Sequence, residues 1–261
     1  MSGIDPHSQR LAGKPVYVTG AAGGIGNAIC QRLREEGALV VGMGRSANID
    51  RWHDQTGIPA VSMDQSSETS ITKAFAEAHD LVGPPAALVA CAGIMHGSGA
   101  FEDIELSDWQ RYIDVNLTGT FLACRSAARM MVRAGDGGSI VTVGSVNSVM
   151  SEPNAASYAA SKGGIWMMTR AMSVDLARHQ IRANMIAPGF IDTDANSVVS
   201  EGPAAAQLNR QIAMGRAGLP IECAGVAAML VSDDSTYMTG AHIVIDGGLT
   251  SMLFGALRPR R

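Results

Sequence analysis

The sequence predicts an α/β fold in which a parallel β-sheet is covered by helices on both faces. Short β-branched runs recur with longer amphipathic stretches between them, the alternation of βαβ units. The runs are apolar throughout rather than alternating, as strands covered on both faces should be. The first run passes directly into a glycine-rich turn and then into a helix.

Taken in order, the expected strands are Val16 to Thr19, Leu39 to Met43, Ala60 to Met63, Ala87 to Ala90, Ser139 to Val143, Arg182 to Ile186 and His242 to Ile245. The expected helices are Ile25 to Glu36, Glu68 to Leu81, Tyr112 to Arg133, Tyr158 to His179 and Ile221 to Val231. Ala134 to Gly138 reads as a turn before a strand. Gly202 to Ala206 lies in a stretch of small, flexible residues that suits an active-site lid, with an ordinary surface loop and short helix as the alternative.

At 261 residues the chain suits one large domain, here 11–249, between a flexible N-terminal segment 1–10 and a C-terminal tail 250–261. Hydrophobic residues at 46% supply a substantial core. A net charge of only -4, with basic residues scattered, gives no electrostatic footprint for nucleic acid. The N-terminal stretch lacks the apolar run of a secretory signal, and no later run approaches the roughly 20 apolar residues that span a bilayer. A cytoplasmic protein without membrane contact is expected. Cys30, Cys91, Cys124 and Cys223 are widely spaced and read as reduced, mostly buried small residues. The six histidines form no ligand pair, so no metal is expected.

The turn after the first strand reads Thr19, Gly20, Ala21, Ala22, Gly23, Gly24, Ile25, Gly26. Gly20 permits the tight turn, Gly24 lets the backbone approach a pyrophosphate, and Gly26 lets the helix pack closely on the sheet. Free N–H groups and the positive end of the helix dipole then face the phosphates, which points to a dinucleotide. After the second strand no carboxylate stands at Gly44 to bind a ribose 2′-OH, whereas Arg45 can pair with a 2′-phosphate and Ser46 can add a hydrogen bond. NADP(H) is therefore favoured. NAD(H), with Arg45 a solvated surface arginine, is the alternative. Asp64 is placed to accept from the adenine amine, and Ala92 with Gly93 leaves space for a ribose.

Tyr158 and Lys162, four apart at the start of a helix, emerge on one face. An ammonium beside a phenol favours the phenolate, which would make Tyr158 a general acid/base at working pH. The same ammonium can hold the nicotinamide ribose. Ser145, just past the fifth strand, can hydrogen-bond a substrate oxygen as charge develops on it. Asn116, in VNLTG, can bend its helix and hold a water that connects Lys162 to solvent.

With these residues in order, the chain resembles the short-chain dehydrogenase/reductase family from about Leu11 to about Leu249. The matches are TGAAGGIG at Thr19 to Gly26, Asp64, Ala92 with Gly93, VNLTG around Asn116, Ser145, YAASK from Tyr158 to Lys162, and PGFIDT from Pro188 to Thr193. The resemblance implies a single-domain Rossmann-type fold, a doubly wound sheet of seven parallel strands flanked by helices, and an Asn116, Ser145, Tyr158, Lys162 tetrad. It implies contacts from Ile191 and Thr193, beyond Pro188, to the nicotinamide carboxamide, and a homotetramer built through the helices carrying Asn116 and Tyr158 and through the last strand. The Gly44-Arg45 pattern looks like the NADP-preferring subgroup. Two departures stand out. Ala90-Cys91 replaces a usual pair of asparagines and removes a strand-tying hydrogen bond, and Gly23 stands where many NADP-preferring relatives carry a basic residue.

The expected activity is hydride transfer between the nicotinamide and a carbonyl or secondary alcohol of a small molecule. His96, Asn147, Glu152 and Asn154 are candidates for binding substrate alongside Ser145 and Tyr158, and so many hydrogen-bonding groups suit a sugar or polyol. Each is alternatively a loop residue satisfied by backbone or water. Two other functions compete. A 3-ketoacyl thioester reductase would need a basic surface for its carrier, which Arg125, Arg129 and Arg133 along one helix can offer. A non-catalytic dinucleotide-binding protein would not need the intact tetrad.

Overall fold

In a computed structural model the structure describes residues 9–95, 99–193 and 202–252. Seven strands form one sheet: β1 (Pro15–Thr19), β2 (Leu39–Gly44), β3 (Ala60–Ser62), β4 (Ala87–Ala90), β5 (Gly138–Val143), β6 (Ile181–Pro188) and β7 (His242–Ile245). All pairings are parallel, in the order β3-β2-β1-β4-β5-β6-β7. The order reverses between β1 and β4, and the strands' carboxyl ends open a crevice at that switch point.

The apolar runs follow from burial on both faces. Val16 and Val18 of β1 enter one core with Ile29 and Leu33 of α1 (Gly24–Glu35) and with Ile49 and Trp52 of α2 (Ser46–Thr56). Tyr17, pointing the other way, enters a second core with Ile71 and Phe75 of α3 (Glu68–Val82).

The expected helix Tyr112 to Arg133 is three pieces. α4 (Leu106–Tyr112) runs into a π-helical turn (Ile113–Thr118), and α5 (Gly119–Ala134) follows. Helix α2 was not expected, because Ile49 and Trp52 are its only buried residues. α6 (Ala156–Asp175) ends four residues short of its expectation, and the short 3-10 turn Ala177–His179 follows. α7 (Gly202–Gln211) turns the proposed lid segment 202–206 into the start of a ten-residue helix, and α8 (Pro220–Val231) packs beside α1. Among the described residues no helix is long and apolar enough to cross a membrane.

Candidate active site

The site starts where β1 ends. The Thr19 hydroxyl accepts the N–H groups of both Cys91 and Ala92, each at 3.1 Å, and ties β1 to the end of β4 across the switch point. The two strands are thus tied at this point without an asparagine at position 90 or 91. Gly20 has φ +69, and a Cβ there would lie 2.8 Å from the Ala92 backbone. At Gly26 an added Cβ would lie 2.2 Å from the Gly20 carbonyl oxygen, so the helix sits directly on the turn. A Cβ on Gly24 would lie 2.7 Å from the Thr193 methyl, which brings the segment after Pro188 onto the glycine turn.

A pyrophosphate fits this cradle. α1 starts at Gly24 with no side-chain cap and no acidic residue in its first turn, so the N–H groups of Gly24, Ile25 and Gly26 remain for an anion. Ala22 is exposed beside them and Ile25 is half-buried. Arg45 and Ser46 lie exposed at the start of α2, with the Ser46 hydroxyl 2.8 Å from that of Ser62. Asp64 is exposed after β3. Hydrogen bonds from the backbone and hydroxyl of Ser66 hold its carboxyl below the usual range, with help from the Arg45 charge. Ile191 buries its side chain in the first core and forms a β-bridge with Gly218.

The catalytic candidates gather across the crevice. The π-helical turn carries Asn116, fully buried. Its Oδ1 accepts the Ile94 N–H at 2.8 Å, and its Nδ2 donates to the Ile94 carbonyl at 3.0 Å and to Ser161 Oγ at 3.1 Å. Ser161, which sequence reasoning passed over, donates in turn to the Tyr158 carbonyl at 2.7 Å. Both amide protons of Asn116 are thereby taken, leaving a relay through this residue its remaining acceptor positions.

Lys162 is buried, donates to the Val143 carbonyl at 3.0 Å, and lies 5.6 Å from the centroid of the Tyr158 ring. A Cβ on Gly93 would stand 3.1 Å from Asn116 Oδ1 and 3.6 Å from Lys162 Nζ, so a side chain there would crowd both polar atoms and glycine does not. Ser145, two residues past β5, accepts the Asn147 N–H at 3.2 Å, and its hydroxyl faces the Tyr158 phenol closely enough to draw its pKa down. Tyr112 meets the Tyr158 ring edge-on at 6.5 Å.

The electrostatics correct one expectation. Lys162 does not hold the phenol down in the protein alone. Burial pushes Tyr158 up; the Ser145 hydrogen bond offsets part of this, while the Glu152 and Cys91 charges add to it. Burial also presses the Lys162 ammonium down to about 8, against a smaller opposing effect of Cys91. One of its three N–H donors goes to the Val143 carbonyl, which fixes the ammonium at the end of β5 and leaves two donors for a ligand. Cys91, read only as a small buried residue, is thus a neighbour of the catalytic lysine, and its own thiol is pushed up to about 11.

Of the substrate candidates, Asn147 is buried and donates from Nδ2 to Glu152 Oε1 at 3.2 Å. Glu152 and Asn154 are exposed, and His96 lies outside the described residues. All four cysteines are free. Among the described residues no group of three His, Cys, Asp or Glu is placed to hold a metal ion.

A sequence model of the family described as enoyl-(acyl carrier protein) reductase matches residues 20–250. Glucose 1-dehydrogenase 2 of Bacillus subtilis is 36% identical over 250 residues, 92% of this chain and 96% of that protein. The chain belongs to the short-chain dehydrogenase/reductase family. A 3-oxoacyl-[acyl-carrier-protein] reductase of Aquifex aeolicus is also 36% identical, over 92% of this chain and 98% of its own length. The crystal structure of a gluconate 5-dehydrogenase from Burkholderia cenocepacia in complex with NADP and tartrate superposes with a TM-score of 0.86 at 32% identity, covering 95% of this chain and 99% of that one. As a member of the short-chain dehydrogenase/reductase family the protein is an NAD(P)-dependent oxidoreductase acting on alcohol and carbonyl groups.

Proposed function

We propose that this short-chain dehydrogenase/reductase prefers NADP(H) and acts on a sugar or polyol, with Ser145 and Tyr158 holding the reacting oxygen. One observation carries the catalytic assignment: Lys162 Nζ and Asn116 Oδ1 converge on Gly93, with the Tyr158 ring 5.6 Å from the same Nζ and Ser145 facing its phenol. The nicotinamide supplies or accepts the hydride when bound. In the reductive direction the Tyr158 hydroxyl gives its proton to the substrate oxygen while the Ser145 hydroxyl donates to that oxygen. Lys162 holds the ribose and, once an anionic cofactor lies beside it, keeps its own proton more firmly. Asn116 fixes the backbone of Ile94 and, through Ser161, the first turn of α6.

The cofactor preference is supported by Arg45 and Ser46, exposed at the start of α2 with Ser62 beside them. Asp64 would receive the adenine amine, and Ile191 and Thr193 the carboxamide. The substrate class is supported by Asn147 and Glu152, which sit beside Ser145, and by relatives named for glucose and gluconate.

Phe121 and Val132 on α5, and Met167 and Val174 on α6, expose apolar surface that suits a homotetramer. The enzyme would work in the cytoplasm as a domain of residues 11–249. The ketoacyl reading keeps the support of a relative at 36% identity. The basic face it needs is weakened, because Arg125 is paired with Glu68 and stacked on Phe121.

The test is nicotinamide absorbance with NADPH, NADH and their oxidised forms against sugars, polyols, simple ketones and a ketoacyl thioester. Turnover of sugars or polyols with NADP(H) is expected; thioester turnover alone would replace the substrate reading. Sedimentation showing a monomer would remove the tetramer.

A further inference from the structure

The segment between Ser145 and Tyr158 holds a carboxylate that the hydride-transfer chemistry does not use. Asn147 is fixed first, by the bond from its N–H to Ser145 Oγ. Its buried amide then donates to Glu152 Oε1, folding the carboxylate back beside the catalytic serine. The backbone that follows is restricted as well. Pro153 restricts the residue before it, and Asn154 has φ 61, one of two non-glycine residues described with positive φ. Among the described residues no cation pairs with Glu152. Its side chain is exposed at the mouth, while its charge is felt at the Tyr158 phenol.

A fixed, unneutralised carboxylate beside the reacting oxygen has two consequences for a ligand. It accepts a hydrogen bond from a neutral hydroxyl, and it repels a second carboxylate. From this placement we infer that Glu152, held by Asn147, selects substrate by charge: the enzyme takes a neutral sugar or polyol and discriminates against the corresponding sugar acid. The inference rests on the assignment of Ser145 and Tyr158 as the reacting centre. It separates this chain from a gluconate-type specificity that its structural neighbour would otherwise suggest.

The phenol is faced from several elements. Lys162 lies on its own helix, Cys91 at the end of β4, and Tyr112 on α4 with Arg111 stacked against it at 5.6 Å. Glu152 is the removable negative charge of this set, because Glu152→Gln keeps the acceptor for Asn147.

Wild type and Glu152→Gln are compared in two ways. The first is the ratio of kcat/KM for glucose to that for gluconate, each with NADP+. The second is the midpoint of Tyr158 ionisation, read as the tyrosinate absorbance that Tyr158→Phe lacks. The ratio is expected to fall by about three- to tenfold in Glu152→Gln, and the midpoint to move to lower pH. An unchanged ratio overturns the inference. Turnover of gluconate alone, or of neither compound, overturns the inference; where glucose alone is turned over, the inhibition constant of gluconate against glucose is expected to fall in Glu152→Gln, and an unchanged constant overturns the inference. Full turnover by Tyr158→Phe would instead overturn the underlying catalytic assignment, so the two failures are distinct.

Discussion

Along the crevice, the β1–β3 side and the β4–β6 side present different surfaces to their ligand. On the first, the contacts are backbone: the Gly20 turn, the free amides at the start of α1, and glycines whose replacement would drive a Cβ to 2.8 Å or less from a neighbour. On the second, the contacts are side chains held by other side chains, with Asn116 on Ser161 and Glu152 on Asn147. A backbone surface is inseparable from the fold, so damage there should read out as lost stability and lost cofactor affinity. A side-chain surface can lose its chemistry and stay folded.

Tyr158→Phe gives the largest expected effect and the sharpest test of that division. Turnover should fall by at least about a hundredfold, with the NADPH dissociation constant unchanged in fluorescence titration. A parallel loss of cofactor affinity would show that the two sides are not separable. Arg45→Ala should raise the NADPH dissociation constant by about tenfold or more and leave that for NADH unmoved, with kcat preserved. Equal effects on both cofactors would end the selector assignment.

Gly26→Ala should lower unfolding free energy by about 1–3 kcal/mol in urea, because its Cβ meets the Gly20 carbonyl. Thr19→Val should act in the same direction by about 1–3 kcal/mol, by leaving two N–H groups at the end of β4 without their acceptor. Wild-type stability in Thr19→Val would mean that the tie between β1 and β4 is dispensable.

The smallest effect is a pH dependence on the catalytic side. Burial holds Lys162 at about 8 in the folded protein, against 10.5 for free lysine. Below both values folded and unfolded chains alike carry the proton, and burial of the ammonium counts against folding. Between about 8 and 10.5 the unfolded chain alone retains it, so the folded state gains relative stability as pH rises through that window. Lys162→Met should abolish this gain, visible as a flatter stability profile from pH 7.5 to about 10. An identical slope in both proteins would place the titration elsewhere.

The two sides also differed in how they could be read from sequence. Strand positions were legible because burial on both faces leaves continuous apolar runs, and β4 and β7 fell on their expected bounds. Helix α2 was hidden because two buried residues in eleven make too weak a stripe. The glycines and the tetrad stood out because their spacing is fixed by local geometry. Thr19 and Ser161 did not, since each acts through partners 72 and 45 positions away. The state of Tyr158 follows from a quantity that spacing along a helix does not carry: Lys162 is near, but burial of the phenol, set by the whole fold, is the largest influence on it.

The π-helical turn at Ile113–Thr118 has an evolutionary consequence. Such a turn holds one residue more than the α-helical path, and one residue corresponds to about 100° of rotation. Everything downstream in α5 is therefore set in phase by it, including Leu122, Ala123, Ala127 and Met131, which face the core. A single-residue deletion that straightened the helix would remove the position of Asn116 and swing those four side chains off the sheet together. The irregularity that carries Asn116 is in this way tied to the core: removing the turn disturbs the packing of α5, whereas replacing the side chain at 116 leaves that phase in place.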